Sequence, residues 1–252
     1  VAELHDIELF KQPPLKEDCP ICMLPLPSLN TGSKYKVCCG KEICSGCIHA
    51  VERTRKTAIP LCPFCRTLEP TSEDEVIKRV MKRVKKDDAQ GIASLGFYYS
   101  KGMYGLSDHT HTKALEHWRR AAELGHAEAY CSIGYAYQHS RGVERDMKKA
   151  NHYYELAAMG GCVTARHNLG NDEYLEGNVE RAIKHYTISL GDGFDRSLKA
   201  IRGLYSKGYV TKDDYAKALR ADQEYLDDIR SPQRDQAAAQ CGLQIYLIMI
   251  GR

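Results

Sequence analysis

The sequence predicts two unlike parts: a small, irregular α+β module held together by metal ions, followed by an all-α solenoid of helix pairs. Two observations carry this prediction. Eight of the eleven cysteines fall between Cys19 and Cys65. Beyond Asp88, Ala, Leu, Tyr and Gly recur at helical spacing, in a pattern that repeats at intervals of 32 to 36 residues.

Composition places the chain among globular proteins and excludes several classes. Its 252 residues are 43% hydrophobic and 27% charged, with a mean hydropathy of -0.48, which fits two domains of roughly 100–200 residues each. The formal charge of +3 is too small for a protein that coats nucleic acid. No apolar run approaches the roughly 18 residues of a membrane span. We therefore expect no nucleic-acid partner and no membrane span.

Two expectations concern the start of the chain and its compartment. The first residue is Val1 and not Met, so we expect the natural N-terminus to lie further upstream. A tight cysteine cluster differs from a secreted scaffold, in which disulfide bridges occur throughout the domain. We therefore expect a reducing compartment, the cytoplasm, with the nucleus as an alternative because the linker described below is basic.

Composition also divides the chain into five segments. A short lead-in precedes the cysteines and a charged, helical linker follows them. The repeats come next, and a tail ends the chain. The segments are 1–18 (lead-in), 19–66 (cysteine-rich module), 67–87 (linker), 88–229 (repeats) and 230–252 (tail).

The cysteine-rich module carries the chemistry. Three Cys-x-x-Cys turns and one adjacent cysteine pair supply eight thiolates, which suffice for two closed zinc sites, because each turn holds two sulfurs about 3.5–4 Å apart. A redox-active Cys-x-x-Cys needs a thioredoxin-like βαβ setting, of which the sequence gives no sign. Iron–sulfur ligation is the minor alternative. The eight are Cys19, Cys22, Cys38, Cys39, Cys44, Cys47, Cys62 and Cys65.

This order and spacing resemble the RING finger family over residues 19–66. In that family the ligand pairs interleave in a cross-brace: pairs one and three bind one zinc ion, and pairs two and four bind the other. A module of this length folds only with metal bound, because it has no sizeable core. The resemblance implies that the first ion is held by Cys19, Cys22, Cys44 and Cys47, and the second by Cys62 and Cys65 with the middle pair.

The middle pair departs from the family pattern, in which a Cys and a His precede the fifth ligand as C-x-H-x-x-C. Alignment on Cys44 puts Cys39 in the Cys position and Lys41 in the His position, and a protonated Lys cannot ligate zinc. The adjacent Cys38 is the favoured replacement. His49 is the competing donor, and loss of the second zinc site is a third outcome.

Further features are similar to those of RING-type ubiquitin ligases. The resemblance implies that Ile21 and Pro63 contact a ubiquitin-conjugating enzyme and that Arg66 restrains the ubiquitin thioester. Ile21 as a filler of the module's own core and Arg66 as a solvated charge are the alternatives. Such a ligase acts by positioning and not through a nucleophile of its own. Cys131 and Cys162 occupy Ala-like helical positions and are expected to be core thiols.

The repeats are aligned by four basic-Ala pairs, each followed after four residues by an aromatic residue in the first three units. Small residues occur where helices approach closely, and glycines occur between helices, where a turn requires positive φ. The aligned alanines are Ala114, Ala150, Ala182 and Ala218, the aromatic residues are Trp118, Tyr154 and Tyr186, and the turn glycines are Gly102, Gly142, Gly177 and Gly208, with Gly125, Gly161 and Gly193 ending the second helices.

This pattern resembles the Sel-one-like repeat family, relatives of tetratricopeptide repeats, and the second unit matches it best. The resemblance implies an α-solenoid that scaffolds protein complexes and has no catalysis of its own. The third unit is short, and the fourth is degenerate and could serve as a cap. The four units cover about 88–125, 126–161, 162–193 and 194–229.

The linker and the tail are each predicted to contain a helix. Ser72 and Glu75 are spaced as a capping box, and an apolar stripe follows them through Val76, Val80 and Val84. The basic face of this helix is interpreted as solvated, because no aromatic residues are interleaved with the charges. In the tail, Ala-rich and then apolar character begins at Asp235. Packing of its apolar run on the last repeat and an incomplete segment are the two alternatives.

Together these features predict a RING-type ubiquitin-protein ligase that uses its solenoid to bind substrate or adaptor proteins. Its expected cofactor is zinc, two ions, and its expected partners are a ubiquitin-conjugating enzyme and a protein substrate. The alternative is a non-catalytic, zinc-binding scaffold for protein complexes, which the Lys at the position of the usual His favours.

Overall fold

A computed structural model describes residues 2–14, 17–27, 32–54, 59–106 and 111–240. The chain forms two compact units, Val1–Leu15 with Val80–Tyr225, and Lys16–Arg79 with Leu226–Arg252. The described elements are α1 (Ala2–Leu9), β1 (Ser33–Lys36), β2 (Lys41–Cys44), α2 (Ser45–Thr54), α3 (Glu73–Val84), α4 (Ala89–Lys101), α5 (His111–Glu123), α6 (Ala127–Gln138), α7 (Met147–Met159), α8 (Val163–Leu175), α9 (Val179–Gly191), α10 (Asp195–Ser206), α11 (Lys212–Ile229) and α12 (Pro232–Gln240).

The repeats are helix pairs, as the sequence predicts. Helix α4 packs on α5, α6 on α7 and α8 on α9, and each pair also contacts the next. The aligned alanines of these pairs, Ala114, Ala150 and Ala182, are fully buried, and so is Ala218 of α11. Each pair therefore contributes one layer to a continuous core, which no single pair could bury alone.

Each of the first three units has one recurring close contact, between a glycine of its first helix and the aromatic residue of its second. A β-carbon on Gly134 would lie 2.8 Å from the ring of Tyr154, too close for any other residue. The same contact occurs between Gly96 and Trp118 and between Gly170 and Tyr186. Each of these repeats thus has a glycine, which has no side chain, directly against a large aromatic ring.

The predicted turn glycines also take the predicted conformation. Gly102, for example, ends α4 with φ 61° and donates from its amide to the carbonyl of Tyr99. Positive φ is the left-handed region that a residue without a β-carbon enters at least cost. The other six glycines that the sequence assigns to turns and helix ends take positive φ as well.

The linker helix α3 begins where the capping box predicts. The Ser72 hydroxyl accepts a hydrogen bond from the Glu75 amide at 3.3 Å, and the Glu75 carboxylate accepts one from the Thr71 amide at 3.2 Å. Val80 and Val84 of the apolar stripe are buried. Within the described residues, no helix is long and apolar enough to cross a membrane.

Two packing outcomes lie outside what the sequence indicates. In the compact part of the chain that contains the repeats, α1 contacts α7. Leu9 is buried there in the core cluster that contains Tyr154 and Ala158. In the unit that contains the cysteines, the tail helix α12 packs on α2 of the cysteine-rich module. The apolar run of the tail lies outside the described residues.

Candidate metal centres

The first Cys-x-x-Cys turn is a tight loop closed by its own backbone. The amide of Met23 donates to the carbonyl of Cys19 at 2.9 Å, and the amide of Cys19 donates to the carbonyl of Leu24 at 2.9 Å. Met23 has φ 56°, in the left-handed region. This conformation turns the chain back on itself, so the sulfurs of Cys19 and Cys22 lie on the same side of the loop.

The last Cys-x-x-Cys turn, Cys62–Cys65, repeats this geometry. The amide of Arg66 donates to the carbonyl of Cys62 at 3.0 Å, and the amide of Cys62 donates to the carbonyl of Thr67 at 2.8 Å. Arg66 has φ 61°. The two turns are therefore the same local structure, and both have a proline after the first cysteine and a large apolar residue before the second.

The middle cysteines are positioned by a hairpin and a helix. Strands β1 and β2 pair antiparallel, with Lys36 opposite Lys41, so Cys38 and Cys39 lie at the hairpin tip. Cys44 ends β2, and Cys47 lies in the first turn of α2. The amide of Cys47 donates to the sulfur of Cys44 at 3.4 Å, because the first amides of a helix have no partner within it.

The eight sulfurs form two separate clusters. One contains Cys19, Cys22, Cys44 and Cys47, the other Cys38, Cys39, Cys62 and Cys65, and within each cluster all sulfurs lie within 4.8 Å of one another. The first cluster has Cys19–Cys47 at 3.9 Å and Cys22–Cys44 at 3.7 Å. The second has Cys39–Cys62 at 3.8 Å and Cys38–Cys65 at 3.4 Å.

These separations fit a tetrahedral metal site. Four sulfurs at the zinc–thiolate distance of about 2.3 Å, placed at the corners of a tetrahedron, lie about 3.8 Å apart. A tetrahedral set of four cysteines is the donor set of structural zinc. The clusters also interleave along the chain, since cluster one takes the first and third pairs and cluster two takes the second and fourth.

The thiols within a cluster differ in acidity. Burial raises the pKa of Cys19, but backbone hydrogen bonds in its own turn outweigh it and lower the pKa to about 7. At Cys65, contacts with Thr67 similarly overcome burial and lower the pKa to about 6. Burial and neighbouring sulfurs raise the pKa of Cys39 to about 11 and raise those of Cys38 and Cys47 as well. Four thiolates without a cation repel each other.

The structure bears on the choice between Cys38 and His49. Cys38 belongs to the second cluster, together with Cys39, whereas His49 is buried in α2 and is not one of the four side chains of that cluster. Lys41 is exposed at the start of β2. The hairpin therefore brings two adjacent cysteines to the position that the family fills with a Cys and a His.

A buried arginine accompanies the first cluster. Arg234 of α12 is 5% exposed, and its Nη2 lies 3.8 Å from the sulfur of Cys22. Its Nη1 donates to the carbonyl of Ile229 at 2.7 Å. The facing sulfurs of Cys44 and Cys22 raise its pKa against the effect of burial. No sequence signal could have found this residue, because 212 positions separate it from Cys22.

Of the three residues expected to contact a conjugating enzyme, two are accessible. Ile21 is 41% exposed, and Arg66 is exposed. Pro63 is buried, so it shapes the turn and offers little surface. The adjacent Phe64 is 44% exposed and is the accessible apolar residue of the last turn. The sequence reasoning missed Phe64, although its place between two ligands matches that of Ile21.

Comparisons with known proteins identify a repeat family in the helical part of the chain. The family model of the Sel1 repeat matches residues 89–126, 127–162 and 163–189, so these residues are Sel1 repeats. The crystal structure of a Sel1 repeat protein from Oxalobacter formigenes has a TM-score of 0.53 and 28% identity, over 61% of this chain and 64% of that one. The pair α10 and α11 lies outside the residues that the family model matches.

Two curated relatives are named as ubiquitin ligases or their components. E3 ubiquitin-protein ligase GW2 of Oryza sativa is 43% identical over 51 residues, which is 20% of this chain and 11% of that protein. ERAD-associated E3 ubiquitin-protein ligase component HRD3B of Arabidopsis thaliana is 32% identical over 117 residues, 46% of this chain and 18% of that protein. The chain thus spans less than a fifth of either relative.

Proposed function

We propose that the cysteine-rich module binds two zinc ions and acts as a RING-type ubiquitin ligase, and that the Sel1 repeats bind the substrate or an adaptor. The observation that carries the proposal is the interleaving of the two four-cysteine clusters, at sulfur separations of 3.4 to 3.9 Å. The ligands of the first ion would be Cys19, Cys22, Cys44 and Cys47. Those of the second would be Cys38, Cys39, Cys62 and Cys65.

Zinc would supply the folding free energy that this module lacks. Its buried cluster contains few apolar residues besides the cysteines themselves, namely Leu26, Ile43 and Ile48. Each ion would join two turns that are distant in sequence. Along the chain, each cluster has one cysteine pair of the other cluster between its own two pairs. The module therefore folds as one unit around both sites.

The chain's own residues would contribute to ubiquitin transfer by docking and restraint. Ile21 and Phe64 each lie between two metal ligands, on turns whose backbone is fixed by hydrogen bonds. Rigid apolar contacts of this kind can hold a conjugating enzyme at little entropic cost. The exposed guanidinium of Arg66 would hydrogen-bond carbonyl groups of the enzyme and of ubiquitin, and so hold the thioester in one orientation for attack by a lysine.

The relatives support this function without establishing it. Proteins named E3 ubiquitin-protein ligase and ligase component match this chain over 51 and 117 residues. Sel1 repeats present packed helical surfaces suited to protein partners. A zinc-binding scaffold without ligase activity is the second candidate, favoured by the Lys at position 41 where the family has a histidine ligand.

A discharge assay with a ubiquitin-charged conjugating enzyme and free lysine tests the proposal. Ile21→Ala should abolish both binding and discharge while zinc content stays at two. Arg66→Gly should leave binding intact and slow discharge at least tenfold. Glycine is chosen because it removes the guanidinium without straining the turn, which holds φ 61° at this position.

Lys34→Ala is the matched control, an exposed residue of β1 in the same module. It should discharge at the wild-type rate. If wild type, across a panel of conjugating enzymes, discharges no faster than the enzyme alone, the ligase proposal is wrong and the scaffold remains. If the purified chain holds no zinc, both candidates fail.

A further inference from the structure

The N-terminal segment, residues 5–14, lies on the repeats and outside the residues that match the repeat family. Leu9 is 1% exposed and packs in the cluster formed by Tyr154, Ala157 and Ala165. The segment reaches across α7, α8 and α9. We call the surface it covers the α7–α9 groove, defined by its polar residues Glu155, Arg166, Arg181, Lys184 and His185.

The groove holds the backbone of the segment through one buried arginine. Arg166 is 2% exposed. Its Nη1 donates to the carbonyl of Leu9 at 2.6 Å, and its Nη2 donates to the carbonyl of Lys11 at 3.3 Å. Carbonyl groups at the end of a helix have no partner within it and carry its partial negative charge. Arg166 thus binds backbone carbonyl groups at the end of α1, and this contact does not depend on the side chains of the segment.

Side-chain contacts add selectivity for an acidic and an aromatic residue. The carboxylate of Asp6 pairs with the Nη1 of Arg181 at 2.5 Å. The ring of Phe10 lies 4.7 Å from the ring of His185 and 5.1 Å from the guanidinium of Arg181. Arg181 also pairs with Glu173 of α8 at 2.7 Å, so it keeps a partner when Asp6 leaves.

Two features of the groove indicate that it suits more than this segment. His185 is fully buried beneath Phe10, and neither of its ring nitrogens has a hydrogen-bond partner among the residues described. Beside Phe10 a cleft of about 380 Å³ remains open, lined by Ile183, Thr187 and Ile188 with Asp214 and Lys217. A ligand that fills this cleft, or hydrogen-bonds to His185, would fit better than the segment does.

The segment is held to the repeats by the side chains of Asp6, Leu9 and Phe10 and by the two carbonyl groups that Arg166 binds. Its face away from the repeats exposes Ile7 by 68%. The segment can leave at the cost of these contacts alone, because the repeat helices pack on one another in pairs without it.

We propose that the α7–α9 groove is a peptide-recognition site that residues 5–14 occupy in cis. Its ligand in trans is a short helical peptide of a partner protein, with an acidic residue three positions before a Leu-Phe pair. This deepens the proposed function, on which it rests for the role of the repeats in substrate or adaptor binding. The tethered segment competes with such a peptide, because it belongs to the same chain and its docking is intramolecular.

Binding of a labelled peptide to full-length variants tests this proposal. The probe is a fluorescein-labelled peptide of residues 2–15. In the double variant Leu9→Asp, Phe10→Ala the groove should be vacated, and the peptide should bind at least tenfold more tightly than it binds wild type. Adding Arg166→Met to the vacated variant should reduce binding at least tenfold. Ile7→Asp, on the exposed face of α1, is the control and should bind the peptide as weakly as wild type.

The contrary results are equally defined. If the vacated variant keeps its helical circular dichroism but binds no peptide, the proposal is wrong. Should that variant fail to fold, hydrogen–deuterium exchange of the wild-type protein decides. Exchange in residues 6–11 at least a hundredfold faster than in α8 supports a displaceable segment, and equal protection overturns it. Dimers that exchange segments would make the ligand a second copy and also overturn it.

The experiment separates this inference from the proposed ligase activity. Peptide binding is measured without ubiquitin or a conjugating enzyme, so it can succeed in a chain that has no ligase activity. Conversely, normal lysine discharge together with absent peptide binding would leave the ligase proposal intact and remove only the groove.

Discussion

Replacement of Arg234 by Met should weaken zinc binding at the first cluster alone. Four thiolates around a divalent ion carry two excess negative charges. The Nη2 of Arg234 lies 3.8 Å from the sulfur of Cys22, and only 5% of the residue is exposed. Its side chain also satisfies the carbonyls of Ile229 and Leu24. Methionine keeps much of the volume and removes both the charge and these hydrogen bonds.

The magnitude follows from the geometry. Two unit charges about 4 Å apart interact by about 4 kcal/mol at an effective dielectric constant near 20. Removing one partner of a buried pair costs about 3–5 kcal/mol, because the other partner stays buried without compensation. At about 1.4 kcal/mol per factor of ten, the lower end predicts a roughly hundredfold weaker first site.

Zinc release to a colorimetric chelator measures the effect. Because the second cluster contains none of the residues that Arg234 contacts, only half of the zinc should leave faster, in a distinct first phase. Arg230→Met is the matched control, since Arg230 is 56% exposed and its ion pair with Asp235, at 3.5 Å, is worth at most about 1 kcal/mol. Release of both ions at the wild-type rate from Arg234→Met would refute the reasoning, as would equal effects of the two variants.

Three further predictions test the second cluster, the repeats and the buried His185. Cys38→Ser should lower the zinc content from two ions to one, whereas His49→Ala should leave two, as measured by mass spectrometry of the native protein. Gly134→Ala should destabilise the repeats by about 1–3 kcal/mol, because the new methyl group would lie 2.8 Å from Tyr154, and chemical denaturation measures this loss; Gly203→Ala, where nothing lies within 4 Å, should not destabilise them. Burial lowers the pKa of His185 to about 3. Between that pH and about 6.5, the unfolded chain binds a proton at this residue that the folded chain does not bind. Acidification from pH 7 to pH 5 should therefore lower the free energy of unfolding by about 2 kcal/mol through His185. His185→Leu should therefore flatten the dependence of unfolding free energy on pH in this window, and an unchanged slope would contradict it.

Local spacing accounts for the parts of the site that could be predicted. The two turns at Cys19 and Cys62 have the same spacing, the same proline and the same hydrogen bonds. The adjacent cysteines at positions 38 and 39 lie together at a hairpin tip, as their place next to each other in the chain requires. The repeat was equally readable, since a glycine and an aromatic residue that meet across a helix pair must recur at the same period.

Contacts between residues distant in the sequence account for what could not be predicted. Arg234 reaches Cys22 across 212 positions, and Arg166 reaches the carbonyl of Leu9 across 157. No periodicity connects such residues, and a lone arginine in a helix reads as a solvated charge until its surroundings are known. The burial of Pro63 beside the exposed Phe64 likewise depends on how the turn is packed.

The sequence by itself determined the helix pairs and the glycine positions, because each depends on residues within about one turn or one repeat of each other. Only the tertiary structure decided that the lead-in segment lies on the repeats and that the tail helix lies on the cysteine-rich module. The physical reason is that docking of a segment depends on the shape and charge of a surface that exists only after the chain has folded. The acidic and aromatic side chains of residues 6–10 find partners in Arg166 of α8 and in Arg181 and His185 of α9, which the packing of these two helices brings to one place.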